Sequence, residues 1–313
     1  DLNRLEEAKI LLSKAIEISP DLAEAYYNLS NVYFEQGSLE KAEISVKKAI
    51  ALKPEFAEAY NNMGATYQAS GEYNLAISLF QKAINRKNDF VDAYINKGNV
   101  LRDIGDLNSS IKDFLKALEI DPSSADAYFS IGLTLRDKGR FEEAIINFEK
   151  AIKIKPEYFE AYNFLGNALK SVGRTERAIF IFEKALSHKE DLFEIHRHLA
   201  YAKKYDGSEA QIQTLLKLKE RFDLSNEDQI NINFTLAKIY DDLKKYEKSF
   251  LFLVEGNRLR KNQLRYNIND DIELFNSLKA RFKDHNFKEI LLDKAYDTNK
   301  VTPIFIIGMP RSG

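Results

Sequence analysis

The residues best suited to chemistry stand at the end of the sequence, where Pro303-Ile304-Phe305-Ile306-Ile307 runs into Gly308-Met309-Pro310-Arg311-Ser312-Gly313. Four successive apolar residues, Ile304 to Ile307, suit a strand covered on both faces. Gly308 and Gly313 bracket a loop whose backbone N–H groups can face phosphate oxygens, and a helix after it would add its positive N-terminal dipole. Arg311 and Ser312 bring a charge and a hydroxyl to the same turn. The spacing G-x-x-x-x-G is shared with nucleotide-binding loops, but those continue with Lys and then Ser or Thr, whereas here the basic residue precedes the second glycine. The competing reading is a strand and glycine turn without a ligand; the internal Pro-Arg-Ser favours phosphate.

Amide side chains form a second set. Asn28, Asn62 and Asn96 recur every 34 residues and are continued by Ser130, while Asn31, Asn99 and Asn167 fall on another row of the same period. A carboxamide both donates and accepts, so such rows can hold the backbone of an extended peptide whatever its side chains. The alternative is that they tie neighbouring helices together. Phe164 breaks the first row, and Ala65 and Leu133 interrupt the second. Arg102, Arg136 and Lys170 form a basic row, which favours an acidic peptide if it faces a groove and is otherwise a solvated helix face.

The acidic row Glu24, Glu58, Asp92, Asp126 and Glu160 has a simpler origin. Each member stands in the first turn of a helix, where a carboxylate complements the dipole, and successive members are about 10 Å or more apart, too far to share a metal ion. His196 and His198 are two residues apart and so point to different sides of a helix. His188 and His285 stand alone. No metal site and no complete catalytic constellation can be assembled from these residues.

The elements that carry these rows announce themselves by period. Glycine recurs at Gly37, Gly71, Gly105, Gly139, Gly173 and Gly207, tyrosine at Tyr26, Tyr60, Tyr94, Tyr128 and Tyr162, and alanine from Ala15 to Ala185, each in steps of 34 residues. Each unit reads as two helices: the periodic glycine lets the chain leave the first through a left-handed residue, and Pro20, Pro54, Pro122 and Pro156 follow the second. Gly64, Gly98, Gly132 and Gly166 allow close approach on the first helix, and Phe80, Phe114, Phe148 and Phe182 fill space on the second.

This pattern resembles the tetratricopeptide repeat, whose length and order of small and large residues it reproduces. The expected fold is therefore all-α, a right-handed superhelical solenoid. Residues 1–20 supply a lone second helix, 21–190 five repeats, and 191–262 degenerate helical repeats. The sixth unit keeps Leu199, Ala200 and Gly207 but its second helix departs from the pattern, and Leu236, Ala237, Tyr240, Tyr246 and Leu253 mark a further degenerate unit. Residues 263–302 form a helical connector with Ile272, Phe275, Leu278 and Phe282 on one face. The inner wall of such a solenoid is the expected site for a protein or peptide. Asparagine rows resembling those of Asn28, Asn62 and Asn96 line repeat proteins of the O-linked N-acetylglucosamine transferase type, and there they hold a peptide backbone.

Pro310-Arg311-Ser312-Gly313 resembles the 5′-phosphosulfate loop of sulfotransferases, in particular tyrosylprotein sulfotransferases and bacterial sulfotransferases with helical repeats. The resemblance implies that 303–313 opens an α/β P-loop-like sulfotransferase domain. It further implies that Gly308, Pro310, Arg311, Ser312 and Gly313 cradle 3′-phosphoadenosine 5′-phosphosulfate (PAPS), and that a sulfuryl group passes to an acceptor hydroxyl. The family's base and 3′-phosphate ligands lie downstream of this loop, so the chain is expected to be inactive alone. The rival expectation is a non-enzymatic scaffold or the repeat region of another transferase.

Composition sets outer limits. The 313 residues carry 46 basic and 48 acidic side chains, a net charge of −2, so no broad polybasic surface is expected and nucleic acid is not an expected partner. The absence of cysteine excludes disulfides, thiolate catalysis and cysteine-bound zinc. No run reaches membrane-spanning length and the first residues lack a signal pattern, so the expected location is the cytoplasm.

Overall fold

The computed structural model describes residues 2–206, 210–264 and 267–282; Gly207 and the segment 283–313, with Gly308, Pro310, Arg311, Ser312 and Gly313, lie outside the described residues. Among the described residues the chain is helical and contains no strand. Contacts divide it into two units, 1–259 and 260–313.

In the first unit α1 (Leu2–Ile18) precedes five helix pairs. These are α2 (Ala23–Glu35) with α3 (Leu39–Leu52), α4 (Ala57–Ala69) with α5 (Tyr73–Arg86), and α6 (Val91–Asp103) with α7 (Leu107–Ile120). They continue as α8 (Ala125–Asp137) with α9 (Phe141–Ile154) and α10 (Phe159–Ser171) with α11 (Thr175–His188). Then follow α12 (Phe193–Ala202), α13 (Ala210–Lys219), α14 (Asn226–Asp242) and α15 (Tyr246–Leu264), whose last residues belong to the second unit. In the second unit α16 (Ile268–Phe282) carries Ile272, Phe275 and Leu278, all exposed.

Each pair is hinged by glycine. Gly37, Gly71, Gly105, Gly139 and Gly173 have φ between 71° and 86°, a region that costs an L side chain about 1–2 kcal/mol. The turn then satisfies the last carbonyls of the first helix: Gly105 N–H donates to Arg102 O at 2.9 Å and Asp106 N–H to Leu101 O at 2.8 Å. The pair closes through glycine and phenylalanine. A Cβ on Gly64, Gly98, Gly132 or Gly166 would come within 2.2–2.6 Å of the ring of Phe80, Phe114, Phe148 or Phe182. All four rings are fully buried, each worth about 1.5–3 kcal/mol of transfer free energy.

Second helices pack on their own first helix and on that of the next pair, and among the described residues their backbones do not approach one another closely. First helices do meet, α2 on α4, α4 on α6, and so on to α12. They form the tighter layer and hence the inner wall of the stack.

Regularity ends after α11. Helix α12 has 10 residues where its predecessors have 13, and it packs directly on α14; among the described residues α12 and α13 make no close backbone contact. The Leu199-Ala200 pair recurs as Leu236-Ala237, 37 residues on rather than 34. Helix α14 starts earlier relative to that pair, under a capping box of Ser225 and Asp228, and ends at Asp242, beyond which Lys244, with a φ of 57°, takes the place of the hinge glycine.

Candidate functional site

The first helices of three consecutive pairs, α4, α6 and α8, together with Tyr158 just before α10, enclose a cleft of about 530 Å³ on the inner wall. Asn96, Asn99 and Arg102 project from α6 because they are spaced three apart and share one helix face. Asn61 and Gln68 flank them from α4, and Ser130 and Leu133 from α8. Asp92 and Asp126, from the first turns of α6 and α8, stand at the opposite end from Arg102. Ten residues of helix separate Asp92 from Arg102, about 15 Å of rise, so the cleft has one end whose charged groups are carboxylates alone and another where Arg102 stands beside Asp103.

Arg102 is held but not saturated. Its Nη2 lies 3.5 Å from Asp103 Oδ1 and its Nε 3.9 Å from Asp137 Oδ2, while Nη1 is buried with no hydrogen-bond partner. A guanidinium N–H left unpaired away from water costs about 1–3 kcal/mol or more. Asn99 is half-buried and, among the described residues, has no side-chain hydrogen bond. At the acidic end burial raises the Tyr158 hydroxyl pKa far above the phenol range, reinforced by its hydrogen bond to Asp126.

The other amides of the rows do tie helices together. Asn62 on α4 donates to Asn31 Oδ1 on α2, and Asn96 Nδ2 donates to Asn61 Oδ1 at 3.0 Å, across α6 and α4. Each bridge uses one of the two protons on its donor amide and one lone pair of its acceptor, so capacity toward a ligand remains. Asn167 bonds Asn163 within α10 at 3.3 Å, and Asn28 is exposed on α2. Arg136 lies over the Phe164 ring, 4.8 Å from its centroid, and its Nη2 bonds Asp137 at 2.7 Å. The cleft therefore gathers Asn96, Asn99 and Arg102; Asn28, Asn31, Asn62, Arg136 and Asn167 lie outside its lining.

The acidic row is spent on structure elsewhere. Glu24 and Glu58 pair with Lys53 and Lys87 at 2.8 and 3.1 Å. Among the described residues no group of His, Asp or Glu could hold a metal ion. His196 is buried, with Nε2 2.8 Å from Glu190 O and Nδ1 2.9 Å from Gln211 Nε2, whereas His198 stacks on Phe182. Gln68 was legible as the next member of the row of Arg102, Arg136 and Lys170; Tyr158 and Asn61 carry no such mark.

Family models agree with the helix pairs. A model described as TPR repeat matches residues 1–37, 31–71, 98–135 and 132–173, and one described as Tetratricopeptide repeat matches 57–90 and 159–191. Together they cover 1–90 and 98–191, more than half of the chain. A relative from Aquifex aeolicus (strain VF5), described as an uncharacterized protein, is 32% identical over 116 residues, 35% of this chain and 14% of that protein. The chain thus matches only a small part of that relative's length.

Among solved structures, PilF of Pseudomonas aeruginosa is 18% identical with a TM-score of 0.55, covering 66% of this chain and 95% of that one. The Cut9–Hcn1 assembly of the APC/C is 14% identical with a TM-score of 0.56, covering 82% and 46%. Both likenesses concern the fold. YrrB, described as a TPR protein with an unusual peptide-binding site, is 25% identical with a TM-score of 0.44, covering 58% and 93%. Among the described residues no helix is long and apolar enough to cross a membrane.

Proposed function

Because the chain belongs to the tetratricopeptide repeat family, we propose that the inner wall formed by α4, α6 and α8 binds an extended segment of another protein. The observation that carries this is the unpartnered Arg102 Nη1 in a cleft that also holds Asn96 and Asn99. In this reading the two amides take the peptide backbone and Arg102 takes a carbonyl or, with greater gain, an acidic side chain. The polarity from Asp92 and Asp126 to Arg102 gives the bound segment a direction. The test is calorimetric titration with an acetylated nine-residue Ser/Ala peptide carrying one central aspartate. Arg102→Met should weaken binding at least tenfold, in line with about 1.5–3 kcal/mol for a hydrogen bond to a charged group, and Asn99→Ala about two- to tenfold, in line with about 0.5–1.5 kcal/mol for a neutral one. Unchanged affinity in both variants refutes the assignment.

The finer reading is that this wall presents an acceptor protein to a sulfotransferase. Its support is the sequence Gly308-Met309-Pro310-Arg311-Ser312-Gly313, with Arg311 and Ser312 assigned to the phosphate of PAPS. A helix array that binds proteins for another purpose has the same inner wall. The natural full-length protein separates the two: adenosine 3′,5′-bisphosphate should bind to it and cease to bind after Arg311→Met. A full-length protein indifferent to that nucleotide leaves the scaffold reading.

A further inference from the structure

A second cleft, of about 310 Å³, lies on the inner wall further along, between α10, α12 and α14. It differs from the first in charge. Glu160, Asp191, Glu194, Glu227 and Asp228 line it, and no Lys, Arg or His is among its lining residues. Its floor is apolar, built from Phe159, Leu192 and the buried Phe193 and Ile195. Asn231 stands among them, 4% exposed, and its Oδ1 is buried without a hydrogen-bond partner.

Part of the negative charge is already engaged. Asp191 pairs with Arg221 at 2.8 Å, Asp228 caps α14 through Ser225, Glu194 lies 3.4 Å from His198 Nε2, and Glu227 is likewise engaged. Among the described residues Glu160 forms no ion pair. A buried acceptor without a donor, ringed by carboxylates over an apolar floor, lacks a cationic N–H donor on an aliphatic stem. Lysine has that shape: its methylenes can lie along an apolar surface while the ammonium stays with polar groups. The compact ammonium also brings three donors, enough for Asn231 Oδ1 and two carboxylates.

The cleft exists because α14 breaks register. Counting from Leu199-Ala200 and Leu236-Ala237, Asn231 occupies the place that Glu194 and Glu160 hold in their helices. Those stand in first turns, whereas α14 begins earlier, at Asn226, so the same place falls a turn deeper and is buried. The amide at that place removes a charge that burial would penalise and keeps an acceptor.

We propose that this cleft binds a lysine side chain of a peptide partner. The site is independent of the α4–α8 cleft. The experiment titrates the chain with acetylated, amidated nine-residue Gly/Ser peptides bearing two lysines, two arginines or two norleucines. The lysine peptide is expected to bind at least tenfold more tightly than the norleucine peptide and to weaken as salt is raised. Glu160→Gln with Glu227→Gln should reduce its affinity at least tenfold. Asn231→Ala should do the same without lowering the melting temperature, since it removes an unsatisfied group. Glu40→Gln, an exposed carboxylate on α3 outside both clefts, should leave lysine-peptide binding unchanged. Equal binding of the lysine and norleucine peptides, no binding of either, preference for arginine, or indifference to both sets of substitutions in this cleft overturns the proposal.

Discussion

Helices α4–α11 and helices α12–α15 use the same ingredients in different places. In the first region each glycine on a first helix receives a phenylalanine from the second, as Gly166 receives Phe182. Around α14 and α15 the order is inverted: Phe234 is on the first helix, and Gly256 on the second gives it room, with a Cβ there meeting the ring at 3.0 Å. In the first region the periodic tyrosine ends at Tyr162; the next place, 34 residues on, is His196, which is buried and bonded to Gln211 and Glu190. The difference teaches that a pair of helices needs a small residue facing a large one, but not in a fixed order. Both regions bury polar groups, small hydroxyls such as Ser110 and Thr134 in the first and the larger His196 and Asn231 in the second.

The strongest way to break this comparison is to remove the rings. Phe182→Ala should destabilise by about 3–5 kcal/mol and Phe234→Ala, whose ring is half-buried, by less than half as much, measured by chemical denaturation. Next, Gly166→Ala drives a methyl into Phe182 and should cost about 1–3 kcal/mol, whereas Gly256→Ala meets a ring that can shift and should cost under about 1 kcal/mol. Equal costs in the two regions contradict the account.

Two smaller effects sharpen it. Burial holds the His196 pKa below the ordinary histidine value, so the unfolded chain takes up the proton first. The neutral ring's contribution is therefore complete above the unfolded pKa of about 6.5 and is lost as pH falls through the folded pKa. Hydrogen exchange of α12 amides should quicken between pH 7 and 5 after correction for intrinsic rates, while α8 stays protected. At the hinges, Lys244→Gly should stabilise by about 1 kcal/mol and Gly139→Ala destabilise by a similar amount, read as opposite shifts of the unfolding midpoint.

The pairs were legible because the Gly98–Phe114 type of contact is local, 16 residues apart in every repeat, and the hinge glycines admit almost no substitute. The wall was half legible. Rows of 34 residues exposed Asn96, Asn99 and Arg102, but the amide bridges join residues 31 and 35 apart, which no single row displays. Arg102's unsatisfied N–H depends on how Asp103 and Asp137 fall beside it, a matter of side-chain geometry. Asn231 was hidden by the three-residue change of phase before α14. Pro310 to Gly313 speak through chemistry alone, since they lie outside the described residues.

Peptide capture at the first cleft is the central claim, and the absence of cysteine makes one measurement decisive. A single cysteine placed at Gln68, on the cleft's edge in α4, or, as control, at the exposed Ile44 on α3 can carry a benzophenone without competing label. Irradiated with the aspartate-bearing nine-residue peptide, the Gln68→Cys protein should form a crosslink that excess unlabelled peptide suppresses, and the Ile44→Cys protein should not. Equal yields at the two positions, or none at Gln68→Cys, contradict the account.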